Sequence, residues 1–242
     1  MAGRQPRREL PLGRAAYGRI AHLPGSRVGA GDRTVDAAHA ARCFVGRAGE
    51  VVLVEEKLDG SCVAIARIGQ DVVALGREGA RAAESPNQAR QLFAAWLAPA
   101  PQRARFAAVL EPGEWLVGEW LALVHGTRYA LSHEPLVVFD LMRRGAGREP
   151  ERAPRRVLAE RAARAGLTLP ARVHDGALPA EAALARLAAG GGHGADHAEG
   201  VIYRVEAGER VALVAKLVRA DKRDGALLPE NSGAPALWNW RP

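Results

Sequence analysis

Val51-Val52-Leu53-Val54-Glu55-Glu56-Lys57-Leu58-Asp59-Gly60 is the stretch on which the reading of this chain turns. Four aliphatic residues in a row, three of them β-branched and bounded by charge, read as a short buried strand. The strand runs directly into Lys57, and Asp59-Gly60 then supplies a turn. This places a lysine amine at a strand end, on a rigid element, which suits a nucleophile that attacks in line. Such an amine must shed its proton, and neighbouring positive charge or a metal assists that. As a bare pattern Lys-x-Asp-Gly is short, and a hairpin turn with an exposed lysine satisfies it too.

Composition sharpens the lysine. The 242 residues include 34 Lys+Arg against 27 Asp+Glu, a net charge of +7. Such a balance favours an anionic partner, with nucleic acid and nucleotide phosphates as the first candidates. Of the 34 basic residues only three are lysine, Lys57, Lys216 and Lys222. Arginine serves wherever a plain positive charge suffices, but its guanidinium stays protonated and cannot replace an amine that must lose a proton. The three lysines are therefore candidates for work that only an amine performs.

The hydrophobic content of 48% is ample for a core, and no apolar run reaches the length of about 18 residues expected of a membrane span. The Arg-rich N-terminus lacks an apolar segment behind it, so no secretory signal is expected. Cys43 and Cys62 make no disulfide framework, and a cytoplasmic protein with reduced thiols is the expectation.

Outward from the central strand, residues 1–16 read as an irregular basic arm and residues 17–242 as one domain. Strands at 63–68 and 72–75 flank Gly69-Gln70-Asp71 as a hairpin. Ser85-Pro86 reads as a helix start, with Leu92, Phe93, Trp96 and Leu97 at helical spacing over 87–97. Strands follow at 115–123 and 136–141, helices at 151–165 and 180–189, and a strand pair at 201–205 and 211–218. An α+β domain built on antiparallel sheet accounts for this order. The arginines between 152 and 164 read as a solvated helical face. His193 and His197 have metal-ligand spacing only on a helix, which the glycines of 190–194 argue against. The tryptophans at 238 and 240 are expected to fold back onto the core.

Further along, Glu119 stands in an apolar strand, where a lone carboxylate is costly unless paired or facing a ligand. Phe139-Asp140 sets an aromatic face beside an acid, Glu199-Gly200 opens a strand, and Lys216 lies on another apolar strand. Each alone has an ordinary explanation. Their order behind Lys57-Leu58-Asp59-Gly60 is far more informative.

That ordered set resembles the motifs of the covalent nucleotidyltransferase superfamily, which contains ATP-dependent DNA and RNA ligases and mRNA capping enzymes. Lys57 looks like the nucleotidyl lysine, and Arg77, in Leu75-Gly76-Arg77-Glu78-Gly79, like the arginine that follows it. Glu119 resembles the ribose-binding glutamate, Phe139 the aromatic stacked on the base, Glu199 the metal-linked glutamate and Lys216 the late phosphate-contacting lysine. His22-Leu23-Pro24-Gly25-Ser26, the segment 117–129 with His125-Gly126-Thr127, and Leu217-Val218-Arg219-Ala220-Asp221 bring the likeness closest to the RNA ligase family. It runs from about Tyr17 to the C-terminus.

The resemblance implies an α+β nucleotidyltransferase fold of the ATP-grasp-like ligase adenylation type, with antiparallel sheets flanked by helices. It implies ATP and Mg²⁺ or Mn²⁺ as cofactors, a lysyl-AMP intermediate, and RNA ends as the partner. Lys57, Asp59 and Lys216 form the implied catalytic set. Glu56, Lys57, Arg77, Glu119, Phe139, Glu199 and Lys216 form the nucleotide-binding set, and Glu199 with Asp140 the metal set. With 26 residues after Lys216, no C-terminal OB-type domain is expected. Cys62 stands where RNA ligases often carry Asn and DNA ligases Arg. Val214 replaces a lysine, with Arg219 or Lys222 the candidates to supply its charge. These departures keep open a DNA-end ligase, a GTP-using capping-type enzyme and a degenerate nucleic-acid-binding homologue.

Overall fold

The structure, a computed structural model, describes residues 9–145, 149–188 and 190–241. Its strands are β1 (Ala21–His22), β2 (Val51–Lys57), β3 (Ser61–Ile68), β4 (Asp71–Gly76), β5 (Glu114–Trp120), β6 (Leu136–Arg144), β7 (Pro150–Arg152), β8 (Arg172–Asp175), β9 (Gly200–Ala207) and β10 (Arg210–Val218). The helices are α1 (Ala37–Phe44), α2 (Gln88–Leu97), α3 (Ala100–Ala107), α4 (Arg155–Arg164), α5 (Ala180–Arg186) and α6 (Pro229–Ser232). The strands form two five-stranded sheets, ordered β1-β10-β9-β2-β8 and β4-β3-β5-β6-β7. Every pairing between the strands is antiparallel except that of β1 with β10. This is the expected α+β architecture, and among the described residues no OB-type barrel follows it.

β2 lies between β9 and β8, which pair with its two edges, and Val52, Leu53 and Val54 are buried. Leu58-Asp59-Gly60 then carries the chain from the first sheet to the second, where β3 sits between β4 and β5. The Lys-x-Asp-Gly segment is thus the crossing between sheets. Apolar residues of α1 and α5 cover the first sheet in a cluster with Val54, Tyr203 and Leu217. Residues of α2, α3 and α4 cover the second, around Phe93, Phe106, Trp120 and Leu158.

Several local expectations need correction. Helix α2 is capped by Asn87, whose side chain accepts the Arg90 N–H, while Ser85 Oγ, two residues earlier, accepts the Asn87 N–H. The single helix expected over 151–165 is a strand and a helix: residues 150–152 extend the β6 edge as β7. Pro154, with no N–H to give, then sits just before the first helical residue of α4. Its arginines form a solvated face only in part, since Arg156 and Arg164 are exposed while Arg155 and Arg161 turn inward. Arg155 is buried on Glu55 at 2.6 Å, Arg161 reaches Glu111 and the Val109 carbonyl, and Arg164 the Ala108 carbonyl. The helix expected over 180–189 ends at Arg186, and residue 189 lies outside the described residues, as do residues 1–8 of the expected arm.

Leu12 and Ala16, in the remainder of that arm, are buried with Tyr17 against Trp115, Val117 and Met142 of the second sheet. Trp240 packs on Trp120 at 5.7 Å between ring centroids. No helix among the described residues is long and apolar enough to cross a membrane.

Candidate active site

Between the sheets lies a cleft of about 360 Å³. The first sheet contributes Glu56, Lys57 and Lys216, the second Cys62, Glu119 and Phe139, and the turn after β4 contributes Arg77. Six of the seven residues of the implied nucleotide-binding set therefore line one cavity, and the seventh, Glu199, bonds the lysine at its floor. Lys57 pairs in register with Gly200, which sets Glu199 opposite it, and Lys57 Nζ donates to Glu199 Oε2 at 2.7 Å. Burial alone pushes the Lys57 amine down, but Glu199, Glu119 and Asp59 around it prevail, and the amine is held protonated well above its ordinary range. Burial pushes Glu199 up. Burial likewise raises Glu119 to about 8, with Lys57 pulling against it.

The turn after Lys57 is held from three sides. Gly60 N–H donates to Glu119 Oε1 at 3.1 Å, and Asp59 N–H to the Tyr129 hydroxyl at 2.9 Å. The Asp59 carboxylate accepts the Gly126 N–H at 2.9 Å and pairs with the buried Lys222 ammonium, which also donates to Thr127 Oγ1 at 3.1 Å. A Cβ at Gly60 would lie 2.6 Å from the Trp120 carbonyl oxygen, so only glycine lets the crossing pass this close to β5. Gly60→Ala is expected to cost on the order of 1–3 kcal/mol and to slow the chemistry at Lys57. Denaturant midpoints and single-turnover rates check this.

All three lysines meet here: Lys57 and Lys216 in the cleft, and Lys222 directly beneath the Asp59 turn. Lys216 has no hydrogen bond or ion pair among the described residues, and its amine is lowered by burial and then by Lys57. It lies on β10 beside His22 of β1, whose ring contacts Ser26 Oγ at 2.6 Å and Asp32 at 3.1 Å. Ser26 Oγ accepts the Val218 N–H, stitching this loop onto the end of β10. Arg77 donates to the Gly18 carbonyl at 2.9 Å, and Phe139 meets the Tyr17 ring edge-on at 5.4 Å.

Asp140 sits differently from the metal role implied for it. It is buried, accepts from Tyr17 Oη, and pairs with Arg204 and with Arg152 at 3.3 Å. Two arginines and a phenol consume both oxygens, so Asp140 braces the wall behind Phe139 and is not carried forward as a metal ligand. Val214 faces Arg204 across the strand pair, and of the two candidates to supply its missing charge, Arg219 pairs with Asp221 while Lys222 is spent on Asp59. His193 contacts His133 at 2.9 Å, whereas His197 meets Arg219, so the two histidines do not converge. Arg204 was missed in sequence, and Tyr17, Thr127 and Tyr129 were given no role there: each is one polar residue in an apolar or loop context, and its partner is 64 or more positions away.

Glu56 is buried, accepts the Gly192 N–H at 2.5 Å, and leaves Oε1 without a partner. Burial lifts its carboxyl from 4.5 to about 7. Between those values the folded chain binds a proton that the unfolded chain has released, so stability falls as pH rises through this window and then levels. Glu56→Gln removes the effect. The variant should gain on wild type by on the order of 1–3 kcal/mol between about pH 4.5 and pH 7.5, read from denaturation midpoints at the two ends. A pH-independent difference would contradict the assignment.

A family model described as RNA ligase matches residues 50–218, more than half of the chain. The chain belongs to the RNA ligase family. No curated protein sequence matches it. Among solved structures, this RNA ligase family member is similar to a Naegleria gruberi RNA ligase solved with PPi, at 14% identity and a TM-score of 0.55, over 88% of this chain and 62% of that one. A mutant of the same Naegleria ligase solved with AMP and Mn matches at 13% identity and a TM-score of 0.53, over 82% of this chain and 59% of that one. The chain thus spans about three-fifths of these ligases' length, and at such identity the likeness establishes the fold.

Proposed function

We propose that this RNA ligase family member joins RNA ends with ATP, through an AMP bound covalently to Lys57. The observation that carries the reading is the Lys57–Glu199 pair at the floor of a cleft walled by Arg77, Glu119, Phe139 and Lys216. In the first step the Lys57 nitrogen bonds to the α-phosphorus of ATP, the bond to pyrophosphate breaks, and pyrophosphate leaves with the bonding pair. The departing amine proton already has Glu199 as its acceptor. Arg77 and Lys216 face the phosphate oxygens on which charge accumulates, Glu119 the ribose hydroxyls, and Phe139 offers its ring to the base. Glu56 closes the cleft beside the lysine, and the Asp59 turn orients the amine. AMP then passes to a 5′-phosphate, and a 3′-hydroxyl displaces it to seal the strand, an RNA-repair type of reaction.

The donor set fits a divalent cation. At the turn the three carboxyl groups of Asp59, Glu119 and Glu199 stand against two ammonium groups, those of Lys57 and Lys222, leaving an excess of buried acid. No group of three metal-ligating side chains occurs among the described residues, and Mg²⁺ with nucleotide phosphates needs only one or two carboxylates. Glu199 is the residue that would hold Mg²⁺ or Mn²⁺, which supplies positive charge to phosphate oxygens when bound. The free thiols Cys43 and Cys62 suit the reducing cytoplasm.

The reading is tested by offering 5′-phosphorylated RNA ends and equivalent DNA ends with ATP and Mn²⁺, and separately with GTP. Adenylylated and sealed RNA with ATP is the expected product. Sealing of DNA alone, or use of GTP alone, would replace the reading.

A further inference from the structure

A second cavity adjoins the first at the nucleophile. It is lined by Lys57, Asp59, Glu119, His125 and Glu199 and closed by Asp224, Gly225, Leu228 and Asn231 of the C-terminal segment. Of the reactive side chains, Lys57, Glu119 and His125 alone line both this cavity and the nucleotide cleft. Lys57 and Glu119 already have roles in holding AMP. His125 has none in the mechanism above.

The surroundings of His125 fix it at this junction. The Leu227 N–H donates to its carbonyl at 2.7 Å, and its Nε2 lies 3.3 Å from Ser61 Oγ at the start of β3. The ring makes no other hydrogen bond. The remaining acids of the second cavity are engaged: Asp59 by Lys222 and Gly126, Glu119 by Gly60, Glu199 by Lys57, and Asp224 by Arg27 at 3.2 Å. Among the described residues of that cavity, the imidazole is the basic side chain that no ion pair engages.

We infer that His125 is a further catalytic residue, which takes the proton of the attacking 3′-hydroxyl of a polynucleotide end entering through the second cavity. The inference rests on the RNA-ligase reading. In that step the 3′-oxygen bonds to the phosphorus of the adenylylated 5′-end, the bond to AMP breaks, AMP leaves with the bonding pair, and the hydroxyl proton moves to the imidazole. The charged groups acting on the ring are Asp59 and Glu230, which favour its protonation, and Lys222 and Arg90, which oppose it. Burial is the largest influence and keeps the ring below its ordinary value, so it is a neutral acceptor at neutral pH.

The test separates sealing from adenylation. Wild type, His125→Ala and His125→Gln are given 5′-adenylylated RNA and a 3′-hydroxyl acceptor with Mg²⁺ and no ATP. Adenylation of Lys57 is measured in parallel with labelled ATP. Glutamine keeps a polar contact to Ser61 but accepts no proton. In both variants sealing should fall by on the order of 10²-fold, at least about tenfold more than adenylation falls. The acidic limb of the sealing pH profile should disappear, and added imidazole should restore rate to the alanine variant. Equal losses in both reactions, a retained limb, or full sealing by the glutamine variant would overturn the inference. A wild type that seals no adenylylated RNA would overturn the RNA-ligase reading, and this inference with it.

Discussion

Lys57→Ala is expected to abolish the covalent AMP adduct, with a loss on the order of 10⁴-fold or more, because no other group in the cleft stands where the α-phosphorus must be attacked. Lys57→Arg should fail as completely. Its guanidinium preserves the charge beside Glu199 but never presents a free amine. The resting pair adds a pH signature. Glu199, Glu119 and Asp59 hold the Lys57 proton tightly, so the reactive amine is a minor form that grows as pH rises. Adenylation should therefore accelerate by up to about tenfold per pH unit across neutrality when the chemical step limits. Single-turnover quenching with labelled ATP reads both results, and an arginine variant that still labels would remove Lys57 from the centre of the account.

Lys222→Met carries the second large effect. The ammonium is buried, and its partner Asp59 is held in place by Lys222 and the Gly126 N–H. Removing the cation leaves a buried carboxylate without its charge partner, a loss of about 3–5 kcal/mol. Lys222→Arg should not restore it. A Cβ on Gly126 would lie 3.0 Å from Lys222 Nζ, so the space around the amine is already tight, and a planar guanidinium meets both Gly126 and Thr127. Because Asp59 belongs to the turn behind the nucleophile, adenylation should fall along with stability. Asp59→Asn in the Lys222→Met background should recover part of the stability, since it removes the orphaned charge. Urea denaturation of the three proteins checks this, and a stable Lys222→Met variant would contradict it.

Much of the scaffold was legible because its signals are local. The run at 51–54 is rich in β-branched residues with Val52, Leu53 and Val54 buried, and Gly69-Gln70-Asp71 turns one strand onto the next, so strands and hairpin follow from short-range chemistry. The cleft was legible through scarcity, since three lysines among 34 basic residues led to two amines in the cleft and a third beneath the Asp59 turn. What escaped depends on distant partners. Asp140 looked like a metal ligand from Phe139-Asp140, but its oxygens belong to Tyr17, Arg152 and Arg204, and no spacing in the chain announces a cluster spanning positions 17 to 204. Arg155 and Arg161 of α4 looked solvated like the exposed Arg156 and Arg164, because a helical face of arginine reads the same whether it meets water or carbonyl oxygens. The early helix α1 was hidden not by lack of an apolar face, which Ala40 and Cys43 supply, but by the glycines and small residues around it, which read as loop.

The central claim is that Lys57 becomes adenylylated. Purified protein incubated with ATP and Mn²⁺, digested and mapped by mass spectrometry, should carry one AMP on the peptide containing Lys57 and on no other. An unmodified Lys57 peptide, or AMP on Lys216 or Lys222 instead, would contradict the account.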